Sequence, residues 1–194
     1  MIYHLSLQTA GLIAGVFLLL FSLSGLIKPD FMRGFAQRLP RSRTAGIILL
    51  TLDLVWCLWL LGLFRFLGWS LTFPMEMGEF SGFRVPLLLL LPIGYLLVLV
   101  FVDEFLAVRS LGIFFLLAAE PLLDAAFFRN ETSRLLVTVF AYLLIVAGLF
   151  WVTMPYLLRD QINWSTRTPA RWHLMQALAL LYGAAILACA VTRY

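Results

Sequence analysis

Residues 45–64 read AGIILLTLDLVWCLWLLGLF, twenty positions in which Asp53, near the middle, is the only charged side chain. About 20 mostly apolar residues, at a rise of about 1.5 Å each, is what a helix needs to cross a hydrocarbon core. A soluble helix of that length keeps a polar stripe for water, and here there are too few polar positions to make one. The segment reads as a membrane span with a carboxylate inside it.

Five more stretches read the same way: 8–27, 86–102, 110–128, 135–153 and 171–191. Across its 194 residues the chain is 63% hydrophobic and 12% charged, too little polar material to surface a soluble domain. Its mean hydropathy is +0.99. No run of short alternating segments suggests a barrel, and in lipid the remaining solution is the helix, which satisfies its own backbone. The expected fold is all-α: one transmembrane domain over residues 1–194, a compact bundle of six transmembrane helices built as three helical hairpins. The apolar run at the N-terminus has no Lys or Arg before it, so it reads as a retained first helix rather than a signal peptide.

Charge sets the expected orientation. Lys28, Arg33, Arg38, Arg41 and Arg43 lie between the first two spans, and Arg109, Arg159, Arg167 and Arg171 fall in loops on the same side. The other side holds Arg65, Arg84, Arg129, Arg134 and Arg193. Loops rich in Lys and Arg stay in the cytoplasm, which places both termini outside. Thirteen Arg against one Lys is the composition of a GC-rich genome and points to a bacterial inner membrane. The net charge of +4 belongs to topology and implies no nucleic acid partner.

Three connections on the basic side open alike: Pro29 to Arg33, Pro155 to Arg159, and Asp103 to Arg109. Each leads through aromatic and aliphatic residues into Arg, as an interfacial helix does when its rings sink to headgroup level. In the first of them Phe31, Met32, Phe35 and Leu39 share one face and Arg33, Gln37 and Arg38 another, with Asp30 placed to cap the helix. Lys28, Arg33, Arg38, Arg41 and Arg43 are therefore candidates for contact with anionic lipid or an acidic partner. The aromatic-rich connection 65–84 is expected to lie on the opposite membrane surface or over the bundle.

The chemistry resides in Asp53, Glu120 and Asp124, because ionisable groups inside spans are rare, costly and usually functional. Counted from the basic side, Asp53 lies roughly 12 Å deep, Glu120 about 15 Å and Asp124 about 21 Å, in a core about 30 Å thick. Glu120 and Asp124 share a face, and Pro121 between them loosens the helix backbone. No Lys, Arg or His stands at that depth in any span. If Asp53 and Glu120 meet, they can share one proton, the minimum for a proton relay or cation site. Thr51, Tyr95, Thr138, Tyr142 and Tyr182 are the available hydrogen-bond partners, and the structural alternative is that neutral acids bond across helices.

Other chemistry finds little support. His4 and His173 lie on different helices, and Cys57 and Cys189 read as packed thiols. No catalytic residue, metal site or cofactor is implied. Asp103, Ala107, Arg109, Glu120 and Asp124 resemble a broken form of the CDP-alcohol phosphotransferase signature, whose carboxylates converge on divalent metals. Here its Ala and Arg are not adjacent and its glycines are missing. Residues 21–64, with a Lys-Pro-Asp-Phe turn, a Leu-Pro and a helix with a central acid, resemble DoxX-type membrane proteins over under a quarter of the chain. That resemblance assigns no role to any residue.

The leading expectation is a non-enzymatic accessory or structural component, whose partners are the lipid bilayer and a membrane protein or a second copy. Gly11 and Gly15 offer a small-residue face for such a partner. The alternatives are a small proton- or cation-coupled transporter using the three acids, and an intramembrane lipid-modifying enzyme.

Overall fold

The computed structural model describes residues 5–62, 82–102, 104–127 and 131–193. Six of its helices are long and apolar enough to cross a membrane: α1 (Leu7–Ile27), α3 (Arg43–Leu60), α4 (Arg84–Phe101), α5 (Leu106–Ala126), α6 (Arg134–Thr153) and α8 (Pro169–Thr192). Two shorter helices, α2 (Pro29–Arg38) and α7 (Tyr156–Thr166), follow the first and fifth spans. The chain is an all-helical, multi-pass membrane protein.

Local chemistry accounts for the helix starts. Ser6 accepts a hydrogen bond from the Thr9 amide at the head of α1, and Ser42 accepts from Ala45 at the head of α3. Pro29 and Pro169 take first-turn positions in α2 and α8, where no amide donor is needed. Asp30 does not cap α2, contrary to expectation. Lys28 is the N-cap residue and makes no side-chain cap bond, while Asp30 sits inside the first turn, 3.9 Å from Arg33. With Pro29 starting the helix, Asp30 is two positions too late to cap it.

Helix pairing follows small residues. α1 runs antiparallel to α8. A Cβ on Gly183 would stand 2.8 Å from the Leu18 Cβ, and one on Gly15 would stand 3.0 Å from the Leu187 Cβ. At the other end of this pair the Trp172 indole donates to the Gly25 carbonyl at 2.9 Å. α5 and α6 close on each other through Gly112 and Gly148, where a Cβ on Gly148 would fall 2.7 Å from the Gly112 oxygen. α3 lies along α5 in the same direction: Gly46 packs against the Ala107 backbone, and the Ser110 hydroxyl donates to the Gly46 carbonyl at 3.2 Å.

The tight pairs are therefore not the three hairpins expected from the basic-side connections. In lipid the helices gain nothing from burying apolar area against each other, so close backbone approach at glycine and alanine decides which ones meet. The core is built accordingly, from Ala10 and Ala14 of α1, Ala119 and Ala125 of α5, Ala141 of α6 and Ile186 of α8.

α4 is the exception. None of its residues is buried, and it is tied to α3 by Tyr95 on the Thr51 hydroxyl (2.9 Å) and Arg43 on the Leu99 carbonyl (3.4 Å).

α2 and α7 lie together at one end of the bundle, joined by a bond from the Gln37 amide to the Thr166 hydroxyl at 3.0 Å. That end collects Lys28, Arg33, Arg38, Arg41, Arg43, Arg109, Arg159, Arg167 and Arg171. Phe31 and Phe35 point outward from α2. Arg33 turns inward, its guanidinium 5.7 Å from the Trp172 ring, instead of joining the polar face assigned to it from the sequence. The reason is local: Trp172 offers a buried aromatic face that a guanidinium can cover.

Candidate functional site

Asp53 stands at the centre of the α3–α5 contact. Gly46 and Leu50 precede it on the same face of α3 and are buried with it; Asp53 itself is 2% exposed. Neither carboxyl oxygen has a hydrogen-bond partner. The bonding groups proposed for it are occupied elsewhere. Thr51 donates to the Ile47 carbonyl and pairs with Tyr95, Thr138 bonds the Arg134 carbonyl, and Tyr182 bonds the Leu136 carbonyl. Tyr142 faces outward, 57% exposed.

A buried polar group left without a partner costs about 1–3 kcal/mol. Nothing in the local fold offsets that at Asp53, since Gly46, Ala107 and Ser110 already make the helix contact without it.

Glu120 and Asp124 are half-buried on the second half of α5. Taking Ser110 as the point where α5 faces α3, Glu120 lies roughly 80° round the helix at about 100° per residue. It does not hydrogen-bond Asp53, whose oxygens are both unpartnered, so the shared-proton pair is not formed in this conformation. Of the basic candidates, Lys28, Arg38 and Arg41 are exposed, Arg43 is tied to Leu99, and Arg33 is covered by Trp172. Asp103, Arg65, Arg129 and His4 lie outside the described residues, as does most of the connection 65–84. Cys57 and Cys189 are free thiols, both half-buried. Among the described residues no group of three His, Cys, Asp or Glu is placed to hold a metal.

The structure contains an apolar cleft of about 350 Å³, walled in part by Trp56 of α3, that the sequence did not announce. Ala10, Ala14 and Ala118 give it depth, while Phe17, Trp56, Phe114, Phe115 and Phe140 give it aromatic walls. Ile13 and Phe17 are on its lip and are 62% and 55% exposed, so the cleft opens to the membrane. Trp56 and Phe114 meet edge to face with ring centroids 5.7 Å apart. Trp56 is three residues after Asp53, so the two share a face of α3. The sequence signal was present in that Asp53–Trp56 spacing and in the Phe114-Phe115 pair. It lacked the helix rotation that makes them neighbours.

Sequence missed a second polar position as well. Gln176 on α8 is 4% exposed and packs where a Cβ on Gly25 would fall 2.6 Å from its amide carbon.

Compared with known proteins, the chain matches no family model, no curated protein and no solved structure.

Proposed function

We propose that this chain is a non-enzymatic accessory or structural component of a bacterial inner membrane, which holds a membrane-protein partner along α4. The observation that carries this reading is the state of α4. It is as apolar as the other spans, yet it buries no residue against the described chain. Helices associate in lipid through small residues that let backbones approach. Gly15, Gly46, Gly112, Gly148 and Gly183 are each used in that way inside the bundle, whereas a Cβ on Gly94 meets nothing within 4 Å. Of the small-residue face first assigned to a partner, Gly11 is buried and Gly15 packs on α8, whereas among the glycines of the described spans Gly94 is left open. The occupant is a transmembrane helix of another protein that packs beside Pro92 and Gly94.

The test is the native mass of the protein extracted from its own membrane in mild detergent, alongside Gly94→Leu. A stoichiometric partner lost in Gly94→Leu supports the reading. A lone monomer, or an assembly of this chain only, overturns it.

A specific observation favours a second reading, a small proton- or cation-coupled transporter: Asp53, inside a span, is enclosed with no hydrogen bond. Glu120 and Asp124 lie on the route toward the opposite face in that reading. Its test is proton flux into liposomes, which Asp53→Asn abolishes and which the wild type must show.

For either reading the basic end faces the cytoplasm, by the excess of Arg, and both termini face the periplasm. Lys28, Arg38 and Arg41 then lie at the phosphates of the inner leaflet.

A further inference from the structure

We infer that Asp53 and the aromatic cleft form one binding site for a lipophilic organic cation, a positive charge carried on an apolar body. The chemistry of the two parts is complementary. A cleft of about 350 Å³ within the membrane, lined by Phe17, Trp56, Phe114, Phe115 and Phe140, takes up an apolar body. Its aromatic faces attract a cation while rejecting an anion. A cation needs a counter-charge, and Asp53 lies one turn from the lining Trp56 on the same face of α3.

Asp53 is 2% exposed and neither oxygen is hydrogen-bonded, so it is free to pair without breaking an existing bond. Trp56 and Phe114 wall the cleft at this point. Ile13 and Phe17 at the lip give entry from the bilayer, where an amphiphilic cation concentrates.

This inference rests on Asp53 being a functional carboxyl, as the transporter reading has it, but it needs no transport. The probe is tetraphenylphosphonium, with triphenylphosphine oxide as an uncharged probe of related shape, in equilibrium dialysis against the purified protein. Saturable binding of one tetraphenylphosphonium per chain is expected, at least tenfold weaker in Asp53→Asn and retained in Asp53→Glu and Glu120→Gln. Ile13→Trp, at the exposed lip, narrows the mouth and weakens the binding with Asp53 intact, which keeps the test open if an Asp53 variant fails to fold. The oxide binds no tighter to the wild type than to Asp53→Asn.

Absence of saturable tetraphenylphosphonium binding to the wild type overturns the inference, as does equal affinity in Asp53→Asn. Proton flux separates the two claims: flux that depends on Asp53 with no organic-cation binding leaves the transporter reading standing and removes this one.

Discussion

Replacing Asp53 by Val should make the protein more stable. Val is branched like Asp and only about a methylene larger, and the site is enclosed, so the change exchanges a buried polar group for an apolar one of similar shape. Two carboxyl oxygens with no partner forfeit about 1–3 kcal/mol relative to a satisfied group. An imperfect fit of the Val branches against α5 returns less than about 1.5 kcal/mol. The expected balance is a gain on the order of 1 kcal/mol, since no hydrogen bond is lost and the Gly46–Ser110 contact that holds α3 to α5 is untouched. Asp53→Asn keeps an unsatisfied polar group in place and should change stability less than Asp53→Val does. The assay is unfolding in mixed micelles by increasing SDS mole fraction, followed by far-ultraviolet circular dichroism. A loss of about 1 kcal/mol or more in Asp53→Val would mean that the carboxyl has a stabilising partner. Asp53 would then be glue between helices, and both its functional readings would fall.

The same titration should separate the glycines. Gly148→Ala is expected to cost about 1–3 kcal/mol, because its Cβ would meet the Gly112 carbonyl oxygen at 2.7 Å and a backbone atom cannot step aside. Gly94→Ala, in open space, should not lower stability measurably; equal losses in the two would contradict the pairing of α5 with α6. Trp172→Phe removes the 2.9 Å bond to Gly25 and should cost about 0.5–1.5 kcal/mol, with no loss in the titration telling against that bond. Orientation is open to thiol labelling in a Cys57→Ser, Cys189→Ser background. An impermeant maleimide should reach Arg193→Cys in intact spheroplasts and Arg41→Cys only after lysis; the reverse pattern would invert the topology.

Hydropathy made the spans legible because the bilayer leaves a crossing chain no other way to satisfy its backbone than a long helix. It said little about which helices touch. A span that is apolar all round has no face that must turn inward, so its rotation is not written in its periodicity. What does specify contact is the placement of residues too small to keep backbones apart. Gly112, Gly148 and Gly183 stand alone in sequence and, like Gly15, find their partners only across space, which is why the close pairs are α1 with α8 and α5 with α6. Arg33 was misplaced for a related reason, since its sequence face is polar while its partner, Trp172, is far along the chain.

Asp53 was visible from the first reading because a carboxylate in a span is chemically out of place, and no rotation had to be known to see it. The structure adds the missing half of the argument. A carboxyl kept for structure is expected to show its bonds, and a bundle assembled on glycine and alanine contacts does not need one at its α3–α5 seam. Keeping it there costs stability, and an aromatic cleft open to the membrane lies one helical turn away. Those two facts together favour a carboxyl kept for a charge that comes and goes.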